Sequence, residues 1–261
     1  MKVLSWNVRG AHAGSDGVWV LFRECAPDVA LLQESRGLPD DISAAYHVHA
    51  YPAVSRNGGR QSFSTAVLLK GDRGWSVRPF SNDVLLHEGL QTYAGNLVHV
   101  RWKDAEGKMW NMVSCYSPAW PLFDWEGTRR RGRFDGFKSV LSDDLWLTDF
   151  IHRYAAEHRN DERWVVAGDF NSATTFSWEK GQNQEVLDNM GAAGLDEAVR
   201  LLHGGPVPTF RHSRGSVKHQ LDHFYLNAVA RQDLVGCRVL SDQGVFEQGL
   251  SDHLPLVGIW S

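Results

Sequence analysis

The chain has 261 residues, 43% hydrophobic, 11% aromatic and 22% charged; this globular balance excludes a disordered, collagen-like or coiled-coil chain and suffices for one large domain over residues 1–261. Lysine and arginine number 27 against 31 acidic residues, a net charge of −4, so no global positive field holds nucleic acid, and a polyanion must be gripped locally or through metal ions. No apolar run approaches the roughly 20 residues of a membrane span, the opening Met1-Lys2-Val3-Leu4-Ser5-Trp6-Asn7 turns polar too soon for a signal peptide, and Cys25, Cys115 and Cys237 form no CxxC pair, so a cytoplasmic protein with three unpaired thiols is expected.

Residues 3–8 form a short apolar-rich run that nothing continues at helical period, which predicts a buried strand with Asn7 at its carboxyl end. Val18, Leu21, Phe22 and Cys25 then recur at helical spacing until Pro27 stops the pattern. Residues 28–34 (DVALLQE) predict a second buried strand whose polar end carries Gln33 and Glu34. Residues 37–61 and 119–133 are the least regular stretches. Further strands are predicted at 65–70, 93–102, 108–116, 164–168, 221–226, 235–240 and 254–260, with a hairpin turn at Asp104-Ala105-Glu106-Gly107. Helical spacing returns at 134–158, with an N-cap near Ser142, and at 183–190. Strands with interspersed helices and hairpins predict two packed mixed sheets flanked by helices.

Polar residues collect at the strand ends: Asn7, Gln33-Glu34, Gly168-Asp169-Phe170-Asn171 and Ser251-Asp252-His253, with Asp222 opening a further strand. The carboxylates of Glu34 and Asp252 and the amide of Asn7 are hard oxygen ligands suited to Mg²⁺ or Mn²⁺, and there is no Cys/His cluster of the zinc type. Asp169 is a candidate to orient or deprotonate a water. A histidine with an aspartate partner holds one tautomer and donates to a phosphoryl oxygen. Taken singly, each acidic strand end reads first as a turn former or helix cap.

In order and approximate spacing, Trp6-Asn7, Leu32-Gln33-Glu34, Ser114-Cys115-Tyr116, Gly168-Asp169-Phe170-Asn171, Leu221-Asp222 and Ser251-Asp252-His253 resemble the endonuclease/exonuclease/phosphatase superfamily across residues 3–258. The resemblance implies a four-layer α/β/β/α sandwich of two mixed β-sheets flanked by helices. It implies that Asn7 and Glu34 hold the principal divalent metal with Asp252 assisting. Asp169 would activate water, Asn171 would position it or bind phosphate, and His253 paired with Asp222 would contact the scissile phosphate. Tyr116 stands where abasic-site and retrotransposon endonucleases carry Tyr and the deoxyribonuclease I branch carries His. By resemblance to the former branch, cleavage leaves a 3′-hydroxyl and a 5′-phosphate. The approach to the Leu221-Asp222 strand, Val217-Lys218-His219-Gln220, lacks the aromatic wall usual in abasic-site enzymes, although His219 or Phe210 offers a substitute.

Arg129, Arg130, Arg131 and Arg133 follow a loop containing Trp120, Phe123 and Trp125, a pattern that clamps phosphates and stacks unpaired bases or, with Asp124, Glu126 and Asp135 beside it, forms a solvated loop. Arg56 and Arg60 flank a Gly-Gly turn and are a second phosphate-contacting candidate. His47 and His49 share one face of an extended segment, without a third ligand. The expected function is that of a Mg²⁺-dependent (or Mn²⁺-dependent) phosphodiesterase, monomeric, acting on nucleic acid and foremost an endonuclease of DNA. The alternatives are a phosphatase or sphingomyelinase-like phospholipase acting on a small phosphoester or lipid headgroup, and a non-catalytic binding module.

Overall fold

The computed structural model describes residues 1–54, 59–71, 76–77, 94–118, 161–176, 180–212, 215–241 and 244–261. Its strands are β1 (Lys2–Asn7), β2 (Val29–Ser35), β3 (Tyr46–Val54), β4 (Arg60–Lys70), β5 (Ser76–Val77), β6 (Leu97–Lys103), β7 (Met109–Tyr116), β8 (Arg163–Asp169), β9 (Leu195–Glu197), β10 (Asp222–Asn227), β11 (Leu234–Val239) and β12 (Leu256–Trp260). Its helices are α1 (Asp16–Cys25), α2 (Asp40–Ala45), α3 (Lys180–Ala192), α4 (Ala198–His203) and α5 (Ala228–Arg231). The strands form two six-stranded mixed sheets, ordered β11-β12-β1-β2-β4-β3 and β5-β6-β7-β8-β10-β9. No helix among the described residues is long and apolar enough to cross a membrane.

Period-two alternation builds the layers. Val3, Val29, Leu31, Val67 and Leu69 of the first sheet meet Val100, Met112, Val165, Ala167, Phe224 and Leu226 of the second in the central core. The intervening residues Leu4, Trp6, Ala30, Leu32, Ala66 and Leu68 face the other way and bury Val18, Trp19, Leu21 and Phe22 of α1. On the outside of the second sheet, Phe170 and Tyr225 pack edge to face at 5.3 Å. The expected α/β/β/α sandwich is the observed one.

Alternation and register together place the functional residues. Asn7 follows Val3 and Ser5 on the inter-sheet face, Asp169 follows Val165 and Ala167, and Asp222 precedes Phe224 and Leu226. Parallel β7 and β8 pair Tyr116 with Asp169, and antiparallel β8 and β10 pair Asp169 with Asp222, so three predicted site residues form one row across three strands. Parallel β1 and β2 end together on Asn7 and Gln33, in the same mouth of the sandwich. Gln33 stitches the sheets there, its Nε2 donating to Ser114 Oγ at 3.0 Å.

Two sequence expectations are corrected. The stretch 37–61, expected to be irregular, contains α2, all of β3 and the start of β4. Among the described residues strand β3 is the edge of its sheet and pairs only with β4, so it needs no apolar alternation, and Pro52 is tolerated within it. The strand expected at 93–102 begins at Leu97, because Gly95 turns the chain at φ 85° where it crosses Pro52. The hairpin at 104–107 is as expected, closed by Asp104 N donating to Lys108 O at 2.9 Å. The helix expected at 134–158 lies outside the described residues, as do Arg56, Arg129, Arg130, Arg131 and Arg133.

Candidate active site

Asp169, Asp222 and His253 come together at the mouth between the sheets, each at most 5% exposed. His253 Nδ1 donates to Asp222 Oδ2 at 2.8 Å, while its Nε2 stands 3.7 Å from Asp169 Oδ2. Burial by itself would lower the imidazole pKa, but the carboxylates of Asp222 and Asp169 outweigh it and raise the value, so the ring is an imidazolium between two carboxylates. Burial pushes the carboxyl of Asp169 upward, against the pull of His253. The three side chains are close enough to hold a metal, but with His253 protonated the ring already supplies the compensating cation.

The Gly-Asp-Phe-Asn segment is shaped by backbone crowding. Gly168 has φ 151°, and a Cβ there would lie 1.9 Å from Cys115 O on the paired strand β7, so no other residue fits without moving the sheet. Past it, Asn171 adopts φ 49° and folds back: its N donates to Asp169 Oδ1 at 2.9 Å, and its Nδ2 to Ser117 O at 2.6 Å and Asp169 Oδ2 at 3.3 Å. Asn7 Nδ2 donates to the same Asp169 Oδ2 at 3.0 Å. Hydrogen bonds thereby fix both oxygens of Asp169.

Glu34 reaches the site by breaking its strand's rule. Alternation would send it outward with Leu32, but its φ is 56° and the β2–β4 register slips between Leu32 and Ser35. This bulge turns the carboxylate inward, where Oε1 accepts from Asn7 Nδ2 at 3.2 Å. Tyr116 also bonds Glu34; burial first, then Glu34 and Asp169, raise its pKa and keep the phenol protonated. Phe63 holds that ring edge-on at 5.2 Å. The carboxylates of Glu34 and Asp169 converge on the Nδ2 of Asn7, whose Oδ1 accepts from Arg9 N at 3.0 Å, and two hard carboxylate donors beside that amide fit Mg²⁺ or Mn²⁺. Asp252 is differently engaged: its Oδ2 lies 3.4 Å from Arg9 Nε.

One contributor, Thr209, carries no sequence signal. Thr209 is fully buried; its Oγ1 donates to Asp222 Oδ2 at 2.6 Å and accepts from the N–H groups of Leu221 and Asp222 at 3.2 and 3.1 Å. It lies 13 residues before Asp222, at no periodic spacing. The adjoining Phe210 packs on His253 with ring centroids 4.9 Å apart, and Arg211 N donates to Asp252 O at 2.9 Å, lacing this segment to the Ser-Asp-His turn. Ser251, visible within its motif but without a predicted role, donates from Oγ to Asn7 O at 2.7 Å and so ties the turn to β1. Arg60 donates from Nη1 to Ala94 O at 2.7 Å, tethering the β3–β4 hairpin to the chain entering β6. His47 and His49 lie half-buried on β3.

Residues 4–253 match the sequence pattern of the Endonuclease/Exonuclease/phosphatase family. No curated protein matches the sequence. Among solved structures, an AP endonuclease from Archaeoglobus fulgidus is similar with a TM-score of 0.70 at 17% identity, over 100% of this chain and 99% of that one. AP endonuclease LMAP from Leishmania major gives 0.68 at 19% identity, over 98% and 86%. The 3′ phosphatase NExo from Neisseria, bound to a product DNA hairpin, gives 0.63 at 18% identity, over 100% and 99%. At such identities the likeness is one of fold.

Proposed function

The chain belongs to the endonuclease/exonuclease/phosphatase family and is a metal-dependent phosphoesterase; from that premise we propose that it hydrolyses nucleic-acid phosphodiester bonds, as a Mg²⁺-dependent (or Mn²⁺-dependent) DNA endonuclease leaving a 3′-hydroxyl and a 5′-phosphate. The observation that carries the reading is His253, held by Asp222 on one nitrogen and presenting the other beside the hydrogen-bonded carboxylate of Asp169. In-line attack by water on a phosphodiester builds negative charge on the non-bridging and leaving oxygens. Asp169, oriented by Asn7 and Asn171, accepts the proton of the attacking water. His253 donates its Nε2–H to a phosphoryl oxygen and opposes the growing charge, while Asp222 holds the ring and keeps it cationic. Glu34 and Asn7, with Asp252 at the border, would hold the divalent cation, which when bound neutralises phosphate charge. Tyr116 at the end of β7, in the manner of the abasic-site and retrotransposon branch, supports DNA as the substrate, as does similarity of fold to AP endonucleases.

A second reading, removal of a terminal phosphate, is favoured by the likeness to a 3′ phosphatase over the full chain. Both are tested on one panel: plasmid DNA, single strands, RNA, abasic duplex, a 3′-phosphorylated primer, sphingomyelin and inositol phosphates, each with Mg²⁺ or Mn²⁺. The expected result is plasmid nicking that EDTA abolishes and for which Glu34→Gln demands more Mg²⁺. Full activity in excess EDTA overturns the metal assignment, and turnover confined to the small esters or lipid overturns the nucleic-acid reading.

A further inference from the structure

The outer face of the first sheet is only partly covered. Leu4, Trp6, Ala30 and Leu32 of β1 and β2 lie under α1, but towards the β3 edge the outward positions are Val48, Ala50, Ser64 and Ala66. Ala66 is buried, Val48 and Ser64 are half-buried and Ala50 is exposed. These short side chains floor a cavity of about 470 Å³, walled by residues 35–38 and by Ser43 of α2. That volume lies within the roughly 300–1,000 Å³ of small-molecule sites. The cavity is separate from the mouth, because none of Asp169, Asp222 and His253 lines it.

The lining includes Arg36 and no carboxylate. Arg36 is exposed, and its guanidinium has no partner among the described residues. Ser35 is 5% exposed and lines the same cavity, and its hydroxyl is also without a partner among the described residues. A buried hydroxyl is ordinarily bonded, so one that opens into a cavity beside an unpaired guanidinium points to a ligand bearing anionic oxygens. The floor of Val48, Ala50 and Ala66 suits a flat apolar body.

The cavity also touches the device that places Glu34. The β2–β4 register slips between Leu32 and Ser35, Ser35 pairs with Ser64 beyond the slip, and Glu34 at φ 56° is the displaced residue. The slip sends Glu34 into the mouth and Ser35 outward to the cavity. Gly10 N donates to Glu34 O and Arg36 N to Ala11 O, both at 2.7 Å, so the bulge is held from the β1 side as well. A ligand bonded to Ser35 and Arg36 grips the outer side of the bulge whose inner side carries Glu34.

We propose that this cavity is an effector site for a small organic phosphate monoester with a flat ring, of the nucleoside monophosphate class, and that its occupancy steadies the bulge that carries Glu34. The phosphate pairs with Arg36 and Ser35, and the ring lies over Ala50 and Ala66. The binding stands by itself; the coupling rests on Glu34 as a metal ligand, as read above. Calorimetry on the full chain in EDTA, with 2′-deoxyadenosine 5′-monophosphate as the probe, is expected to show saturable 1:1 binding, with deoxyadenosine or inorganic phosphate alone about tenfold weaker or more. Ala50→Phe fills the cavity from an exposed edge-strand position, and Arg36→Gln removes the cation from an exposed one. Each should weaken the nucleotide about tenfold or more, with melting temperature and turnover of bis(4-nitrophenyl) phosphate near wild type. His253→Ala should bind it as wild type does. No binding to wild type overturns the proposal, as does binding that survives Ala50→Phe and is lost in His253→Ala, which places the nucleotide in the mouth.

The coupling is read with Mg²⁺ present. Saturating nucleotide should lower the Mg²⁺ needed for half-maximal hydrolysis of the small diester about fivefold in wild type and not in Ala50→Phe, which also controls for chelation. By reciprocity, Mg²⁺ should tighten nucleotide binding by the same factor in calorimetry. An unchanged Mg²⁺ requirement overturns the coupling. If hydrolysis needs no Mg²⁺ at all, the metal reading of Glu34 fails, a result distinct from nucleotide binding measured in EDTA.

Discussion

The two faces of β10 handle buried polarity in opposite ways. Asp222 and His223 are neighbours in sequence and almost inaccessible, at 1% and 0% exposure. Asp222 faces the space between the sheets, where His253 and Thr209 both donate to its Oδ2 and its Oδ1 has no partner among the described residues. His223 faces the outer layer, stacked on Tyr225 at 5.6 Å with Phe170 edge-on. There its Nε2–H donates to Ser172 O at 3.1 Å, and burial lowers its pKa from 6.5 to about 4. Burial acts downward on both His223 and His253, but only His253 has carboxylates close enough to reverse it. The lesson is that charge is kept where the sheets open to substrate and is excluded a single residue away, although the two positions are equally dry.

The largest test of that contrast is His253→Ala. Removing the imidazolium should lower kcat on bis(4-nitrophenyl) phosphate by about 10³-fold or more with little change in KM, since its contribution grows as charge develops. Turnover within tenfold of wild type would place the charged face elsewhere.

On the opposite face, His223 should act on stability alone. The unfolded chain takes up its proton near pH 6.5 and the folded chain only near pH 4, so His223 costs nothing above pH 6.5, and acidification from there to pH 4 favours unfolding by about 3 kcal/mol. Urea denaturation across this range, compared with that of His223→Gln, isolates the effect; identical pH slopes in the two proteins would contradict a neutral buried ring.

Asp222→Asn should lower kcat by about 10²-fold, because it removes the charge that keeps His253 cationic but leaves the ring in place. The smallest effect is expected from Thr209→Val, which is close in shape and deletes only the hydroxyl that fixes Asp222. A loss in kcat of about tenfold, nearly absent when Thr209→Val is added to Asp222→Asn, would identify Thr209 as a positioning residue acting through Asp222. Additive losses would make its role structural.

Much of this was legible in the sequence for a simple reason. A strand covered on both faces reads as a short continuous apolar run, and where that run stops the next residue is a polar tip at the end of the sheet. Asn7, Asp169 and Asp222 stand at the ends of such runs, so their end of the sheet was legible in local pattern, whereas their face was set by register, because both faces of these strands are buried. Strand β3 escaped the same logic because an edge strand buries too little to leave a pattern.

What the sequence determined by itself was therefore the layer order, the polar strand ends and the choice of Gly168, where a side chain would strike the neighbouring strand. The inward turn of Glu34, the pairing of Thr209 with Asp222 and the approach of Arg9 to Asp252 were decided by the tertiary structure. Each depends on a bulge, a left-handed residue or a distant loop, whose geometry is fixed by hydrogen bonds from other elements and leaves no periodic trace in the chain that carries it.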